Sequence, residues 1–212
     1  MLLELRRFEV PPGQRMVIRD VSWAEFERIL EELGDSRASR LAYDNGLLEI
    51  AMPLPEHEDA KEIIGDLLKA LMEELDIEFR SLGSTIFKQA GYRGIEPDQC
   101  FYIQNELAIR GKKRIDLAVD PPPDLALEID LTSRSYPDLY AALGVPELWQ
   151  FERGEMTINA LQDGQYVAVA ESPNFPGLPL RVVLLEPLKL SETVGRNKAL
   201  RAFRQWVRSR PS

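Results

Sequence analysis

Asp98, Glu128 and Asp130 are the residues of this chain whose types and spacing could do chemistry. Asp98 closes Glu96-Pro97-Asp98 at the entrance of a candidate strand. Glu128 and Asp130 stand two apart in the run 125–131, LALEIDL. Strand alternation sets Leu125, Leu127, Ile129 and Leu131 on one face and Ala126, Glu128 and Asp130 on the other. Two carboxylates beside an otherwise apolar strand are costly to bury unpaired, so they must share a metal, a proton or a basic partner. Phosphodiester hydrolysis with Mg²⁺ or Mn²⁺ needs carboxylates from separate rigid elements to converge on one ion. The ion polarises the phosphoryl oxygen and lowers the pKa of a bound water. Strands place such groups more precisely than loops do. The chain has one cysteine, Cys100, and one histidine, His57, so any metal site rests mainly on carboxylates. Oxygen ligands favour hard ions such as Mg²⁺ or Mn²⁺ over structural zinc.

The elements that must position these groups are legible as patterns. Ser22-Trp23-Ala24-Glu25 reads as a capping box, with Val21 and Phe26 as the hydrophobic staple and Gly34 as the stop. Two strands, 40–43 and 47–52, flank an Asp44-Asn45-Gly46 turn. A helix spans about 56–75, and its inward face runs Ala60, Ile63, Ile64, Leu67, Leu68, Leu71, Met72 and Leu75. His57 lies three residues before Ala60 and therefore begins that inward face. Strands are expected at 77–81, 85–88 and 99–103, the 125–131 strand after a proline-rich lead-in, a short helix at 136–143 capped by Ser135, and a strand at 145–151. Further strands follow at 156–160, 166–170 and 182–185, the first two as a hairpin. The tail from Arg196 reads as an amphipathic helix with Leu200, Phe203, Trp206 and Val207 inward. The order predicts one α/β domain over residues 1–212. Its core, at about 40–152, is a mixed sheet packed by helices, followed by C-terminal strands and a basic helix at 153–212.

Composition excludes some classes. No apolar run is long enough to span a membrane, and charges within MLLELRRFEV argue against a signal peptide. A lone Cys100 forms no internal disulfide and suits a cytoplasmic protein; with no base nearby in sequence it is expected in the core. The formal net charge of −9 argues against a broad electrostatic grip on nucleic acid. The charge is uneven, though. Residues 196–210 carry six Lys and Arg and no acid, leaving 20 basic against 35 acidic residues elsewhere. A second basic run spans Arg110 to Arg114. Either run is solvated surface or a local phosphate contact.

Several segments in fixed order carry a resemblance. They are Tyr43-Asp44-Asn45-Gly46-Leu47-Leu48-Glu49-Ile50, Pro53 and His57, Glu96-Pro97-Asp98, the stretch from Pro123 to Ser133, and the stretch from Tyr140 to Trp149. Over roughly 22–152 the chain resembles the "putative restriction endonuclease" family known as domain of unknown function 820, within the P-D…(D/E)-x-K nuclease superfamily. The resemblance implies a restriction-endonuclease-like fold with Asp98 and Glu128 as metal ligands and the main-chain carbonyl of Ile129 as a third. The superfamily carries a lysine two residues after the glutamate, where it orients the attacking water and offsets negative charge. Asp130 fills that slot here and cannot supply positive charge. Either Asp130 is an extra ligand and a lysine arrives from elsewhere, with Lys88 as the candidate, or catalysis has been lost. The family also carries a histidine at His57, and related nucleases bring a helix residue to the metal. Glu49 matches the family as well, either at the site or in a local pair.

The expectation is a Mg²⁺- or Mn²⁺-dependent endodeoxyribonuclease acting on DNA through Asp98, Glu128, Asp130, His57 and Lys88. A homodimer is expected, because cutting both strands is simplest with two sites related by symmetry. The alternative is a catalytically inactive module of the same fold that binds nucleic acid or a protein partner, through the basic C-terminal helix. A third is an oligomerising protein using Phe203 and Trp206 as contacts.

Overall fold

The computed structural model describes residues 10–34, 39–83, 85–129 and 137–210. The elements run β1 (Arg15–Ile18), α1 (Trp23–Leu33), β2 (Arg40–Asp44), β3 (Leu47–Ala51), α2 (Pro55–Glu74), β4 (Arg80–Leu82), β5 (Phe87–Gln89), β6 (Arg93–Ile95), β7 (Gln99–Tyr102) and α3 (Glu106–Ile109). They continue with β8 (Leu125–Ile129), α4 (Pro137–Leu143), β9 (Glu147–Glu152), β10 (Glu155–Gln162), β11 (Gln165–Val169), α5 (Leu180–Val183), α6 (Leu185–Val194) and α7 (Arg196–Arg208). The strands form two sheets. One is antiparallel, in the order β1-β3-β2-β6-β5; the other runs β11-β10-β9-β8-β7-β4 and is mixed through its single parallel pair, β8 with β9.

Local chemistry explains the N-terminal sheet. Ser22 and Glu25 form the reciprocal capping box that starts α1, and Phe26 packs with Val21, Leu41, Tyr43, Leu48 and Ile50. Asn45 and Gly46 both take positive φ, 43° and 97°, which a two-residue hairpin turn requires. Glu49 pairs with Arg15 across β1 and β3 at 3.4 Å, an ion pair local to this sheet.

The mixed sheet holds the main core. Leu125, Leu127 and Ile129 of β8 face Ile64, Leu67, Leu68 and Leu71 of α2, while Ala126 packs on the other side with Leu139, Tyr140 and Leu148. The alternation expected from LALEI therefore holds as far as Ile129. Asp130 and Ser135 lie outside the described residues. α2 lies close enough to β7 that a Cβ on Gly65 would fall 2.0 Å from Gln99 Oε1, so only glycine leaves room for the buried amide.

Two acids far from the candidate site are structural. Asp124 accepts hydrogen bonds from the amides of Ile103 and Asn105 and from Asn105 Nδ2, at 2.6, 2.9 and 2.7 Å. Glu147, fully buried, accepts from Trp149 Nε1 at 2.8 Å and from Ser172 Oγ, Asn174 N and Asn174 Nδ2 at 2.7 Å each. That one carboxylate ties the segment after β11 to the start of β9.

Three sequence expectations change. Residues 182–185 are helical, within α5 and α6, because a four-residue apolar run carries no period that separates strand from helix. β1 and β6, which the sequence reading did not foresee, extend the N-terminal sheet. The basic runs are also partly committed. Arg196 bonds Asp66 and Arg204 and Arg208 bond Glu73 and Glu74 of α2, so α7 is fastened by its arginines to the acidic end of that helix. In the other run Arg110 is bonded to Glu106 and Lys112 to Asp120. Because β7 and β8 are antiparallel, the connection carrying 110–114 lies at the end of the sheet opposite Asp98 and Glu128. Among the described residues, no helix is long and apolar enough to cross a membrane.

Candidate active site

Three segments far apart in sequence meet at the end of the mixed sheet where β7 begins and β8 finishes. β6 leaves the N-terminal sheet and residues 96–98 cross directly into β7. The Glu96 amide still bonds Leu41 O at 3.2 Å, which holds this crossing against β2. Asp98 therefore arrives beside Arg40, the first residue of β2, and their side chains form an ion pair. α2 delivers His57 from its first turn, with Nε2 3.0 Å from Asp98 Oδ2. The Ile129 amide at the end of β8 donates to the same Oδ2 at 2.6 Å.

Asp98 is the hub of this arrangement and is 0% exposed. Its Oδ2 is shared by His57 and Ile129, while Oδ1 meets the Arg40 guanidinium but makes no hydrogen bond. Glu128 leans on the Tyr140 hydroxyl from α4, which donates to Glu128 Oε1. Part of the Glu128 residue surface stays accessible, yet burial of its carboxyl is the largest cause pushing its pKa well above the usual carboxylate range. The charge of Asp98 pushes the same way, and Tyr140 and Arg40 only partly oppose it. Burial, with Glu128 beside it, pushes the Tyr140 phenol well up too, so Tyr140 is a donor at neutral pH. Burial opposes the charge on Arg40, but Asp98, Glu128 and Glu58 outweigh it and raise its pKa.

A second ring of charged groups lies nearer solvent. Glu58, 43% exposed at its side chain, accepts from Arg40 Nη2 at 3.2 Å and bonds Lys61 Nζ. His57 Nδ1 is buried without a hydrogen bond, 3.6 Å from Glu58 Oε1.

Of the residues expected from sequence, the fold brings together Asp98, Glu128, His57 and the backbone of Ile129. Ile129 contributes its amide hydrogen to Asp98. Lys88 is not drawn in. It sits on β5, at the edge of the other sheet, and its ammonium pairs with Glu27 at 3.3 Å on the exposed surface. The cation beside the acidic pair is Arg40 instead. Tyr140 and Arg40 were both missed, since one looked like an apolar position of a short helix and the other like the opening of a distant strand. Cys100 is fully buried, and burial pushes its thiol up, which makes it a core residue rather than a nucleophile.

Among the described residues, no group of three or more His, Cys, Asp or Glu side chains is disposed to hold a metal ion. Mg²⁺ demands less, because it keeps several waters and is commonly held by one or two carboxylates. Two neighbouring carboxylates that repel each other, with Asp98 Oδ1 lacking a hydrogen bond, fit that need.

A search of curated proteins finds no match. A crystal structure described as "a putative nuclease belonging to DUF820", from Anabaena variabilis ATCC 29413, matches with a TM-score of 0.56 at 14% identity, covering 79% of this chain and 98% of that one. At that identity the match establishes the shared fold. The sequence profile of the Uma2 family, described as "Putative restriction endonuclease", matches residues 23–190, and the chain belongs to that family.

Proposed function

We propose that the protein is a divalent-metal-dependent endodeoxyribonuclease whose ion, Mg²⁺ or Mn²⁺, is held by Asp98 and Glu128. The observation that carries this reading is the meeting of these two carboxylates, from strands 30 residues apart in sequence, beside one buried guanidinium. When bound, the ion supplies Lewis-acid activation of water and of the phosphoryl oxygen. The chain's own groups do the rest. Arg40 offsets the negative charge that builds on the phosphorus oxygens, the task given to lysine elsewhere in the superfamily, although a guanidinium cannot act as a base. Tyr140 holds Glu128 in one orientation, and the Ile129 amide and His57 do the same for Asp98. Asp130 stays a candidate further ligand. DNA is the proposed substrate, in keeping with the family description.

Plasmid and linear DNA incubated with Mn²⁺ or with EDTA test this directly. Cleavage is expected with Mn²⁺ alone. Glu128→Gln, which keeps the shape and loses the charge, is expected to lower the rate on the order of 10²-fold or more. An unchanged rate in that variant, or cleavage that persists in EDTA, rejects the reading.

The environment of Glu128 adds a pH prediction. Its folded-state pKa is raised, so the proton is retained to higher pH than in a free glutamate. A metal ion binding there must displace that proton. Calorimetric titration is therefore expected to show Mn²⁺ affinity rising from acidic to mildly alkaline pH, with proton release on binding. Affinity independent of pH, with no proton release, contradicts it.

A further inference from the structure

We infer that Arg40 and Lys61 form a seat for a backbone phosphodiester, which the side chain of Glu58 fills when no nucleic acid is bound. That the ligand is a nucleic-acid backbone rests on the nuclease reading above; the seat itself rests on geometry. Glu58 presents two anionic oxygens to two cations, with Oε1 3.2 Å from Arg40 Nη2 and Oε2 bonded to Lys61 Nζ. The two non-bridging oxygens of a phosphodiester offer the same donors the same charge pattern.

Three details set this arrangement apart from an ordinary surface ion pair. The cations are largely covered, with 14% of the Arg40 side chain and 12% of the Lys61 side chain exposed, whereas the carboxylate between them is 43% exposed. The anion is thus the component free to leave. Donor capacity is also left over, because Arg40 Nε is buried without an acceptor. Arg40 finally spans the two rings, with Nη2 on Glu58 and Nη1 on Asp98. An anion in the place of Glu58 sits one guanidinium away from the candidate metal ligand, close enough to register the strand being cut.

Binding of a short fluorescent DNA duplex, measured by anisotropy at low salt in EDTA so that nothing is cleaved, tests the seat apart from catalysis. Glu58→Ala removes the resident anion and is expected to tighten binding about fivefold to tenfold. Adding Lys61→Ala is expected to cancel most of that gain. Asp59→Ala removes the same charge from an exposed position of the same helix outside the seat, and is expected to change affinity less than about twofold through screened long-range repulsion. Circular dichroism checks that each variant is folded. Equal gains from Glu58→Ala and Asp59→Ala, or no gain from Glu58→Ala, overturn the proposal. A gain for inorganic phosphate without one for the duplex overturns it too, since the seat then serves a free anion. These results do not depend on cleavage: a chain that binds as expected and never cuts DNA retains the seat and loses the nuclease reading.

Discussion

Asp98→Ala is expected to abolish DNA cleavage, by on the order of 10³-fold or more, and to destabilise the fold in the same step. The two effects have different origins. Cleavage fails because a proposed metal ligand is gone. Stability falls because Arg40, His57 Nε2 and the Ile129 amide all lose the acid they meet in the interior. Removing one partner of a buried ion pair costs about 3–5 kcal/mol, since the other charge is stranded. A double variant, Arg40→Met with Asp98→Ala, separates the two. With the guanidinium no longer stranded, it is expected to recover much of the lost stability in urea unfolding while staying inactive. If the single variant unfolds at the same urea concentration as the parent, Asp98 is not the hub described. If the double variant is no more stable than the single one, the guanidinium was not the stranded charge.

Glu147→Ala is the larger purely structural lesion. The variant takes the acceptor from Trp149 Nε1, Ser172 Oγ and Asn174 Nδ2 around a fully buried position, while Asn174 N keeps Ser172 Oγ as a second acceptor. Each orphaned donor costs about 1–3 kcal/mol, and partial relaxation brings the expected total to about 3–5 kcal/mol. Against a typical domain stability of about 5–15 kcal/mol, that is a third or more. Glu147→Gln keeps one acceptor oxygen and is expected to cost roughly half as much. A midpoint shift in urea equivalent to less than about 1 kcal/mol for Glu147→Ala means that the segment after β11 is held by something else.

Much of this arrangement was readable in the sequence, and the exceptions have physical causes. The faces of β8 followed from period-two alternation, because a strand buried on one side by α2 and on the other by α4 leaves little freedom in register. His57 fell on the inward face of α2 because the apolar spacing of that helix is sustained over several turns. Arg40 was hidden for the opposite reason. It lies 58 residues before Asp98 and on a different sheet, and only the short crossing at 96–98 brings the two together. No periodicity in the chain records that meeting. Lys88 was a reasonable candidate by type, but β4, β5 and β6 are three residues each and divide between two sheets, which sequence alternation does not reveal. Tyr140 serves two ends at once; its ring packs with Leu139 and Leu148 while its hydroxyl serves Glu128.

The crossing at 96–98 carries one more consequence. The acid of the central ion pair is anchored in one layer and its counter-charge in the other, so the pair works as a rivet through the seam between them. Any slip of one layer against the other opens the rivet before it disturbs either hydrophobic core. Charge balance at this end of the mixed sheet is therefore a sensor of how well the two halves are seated.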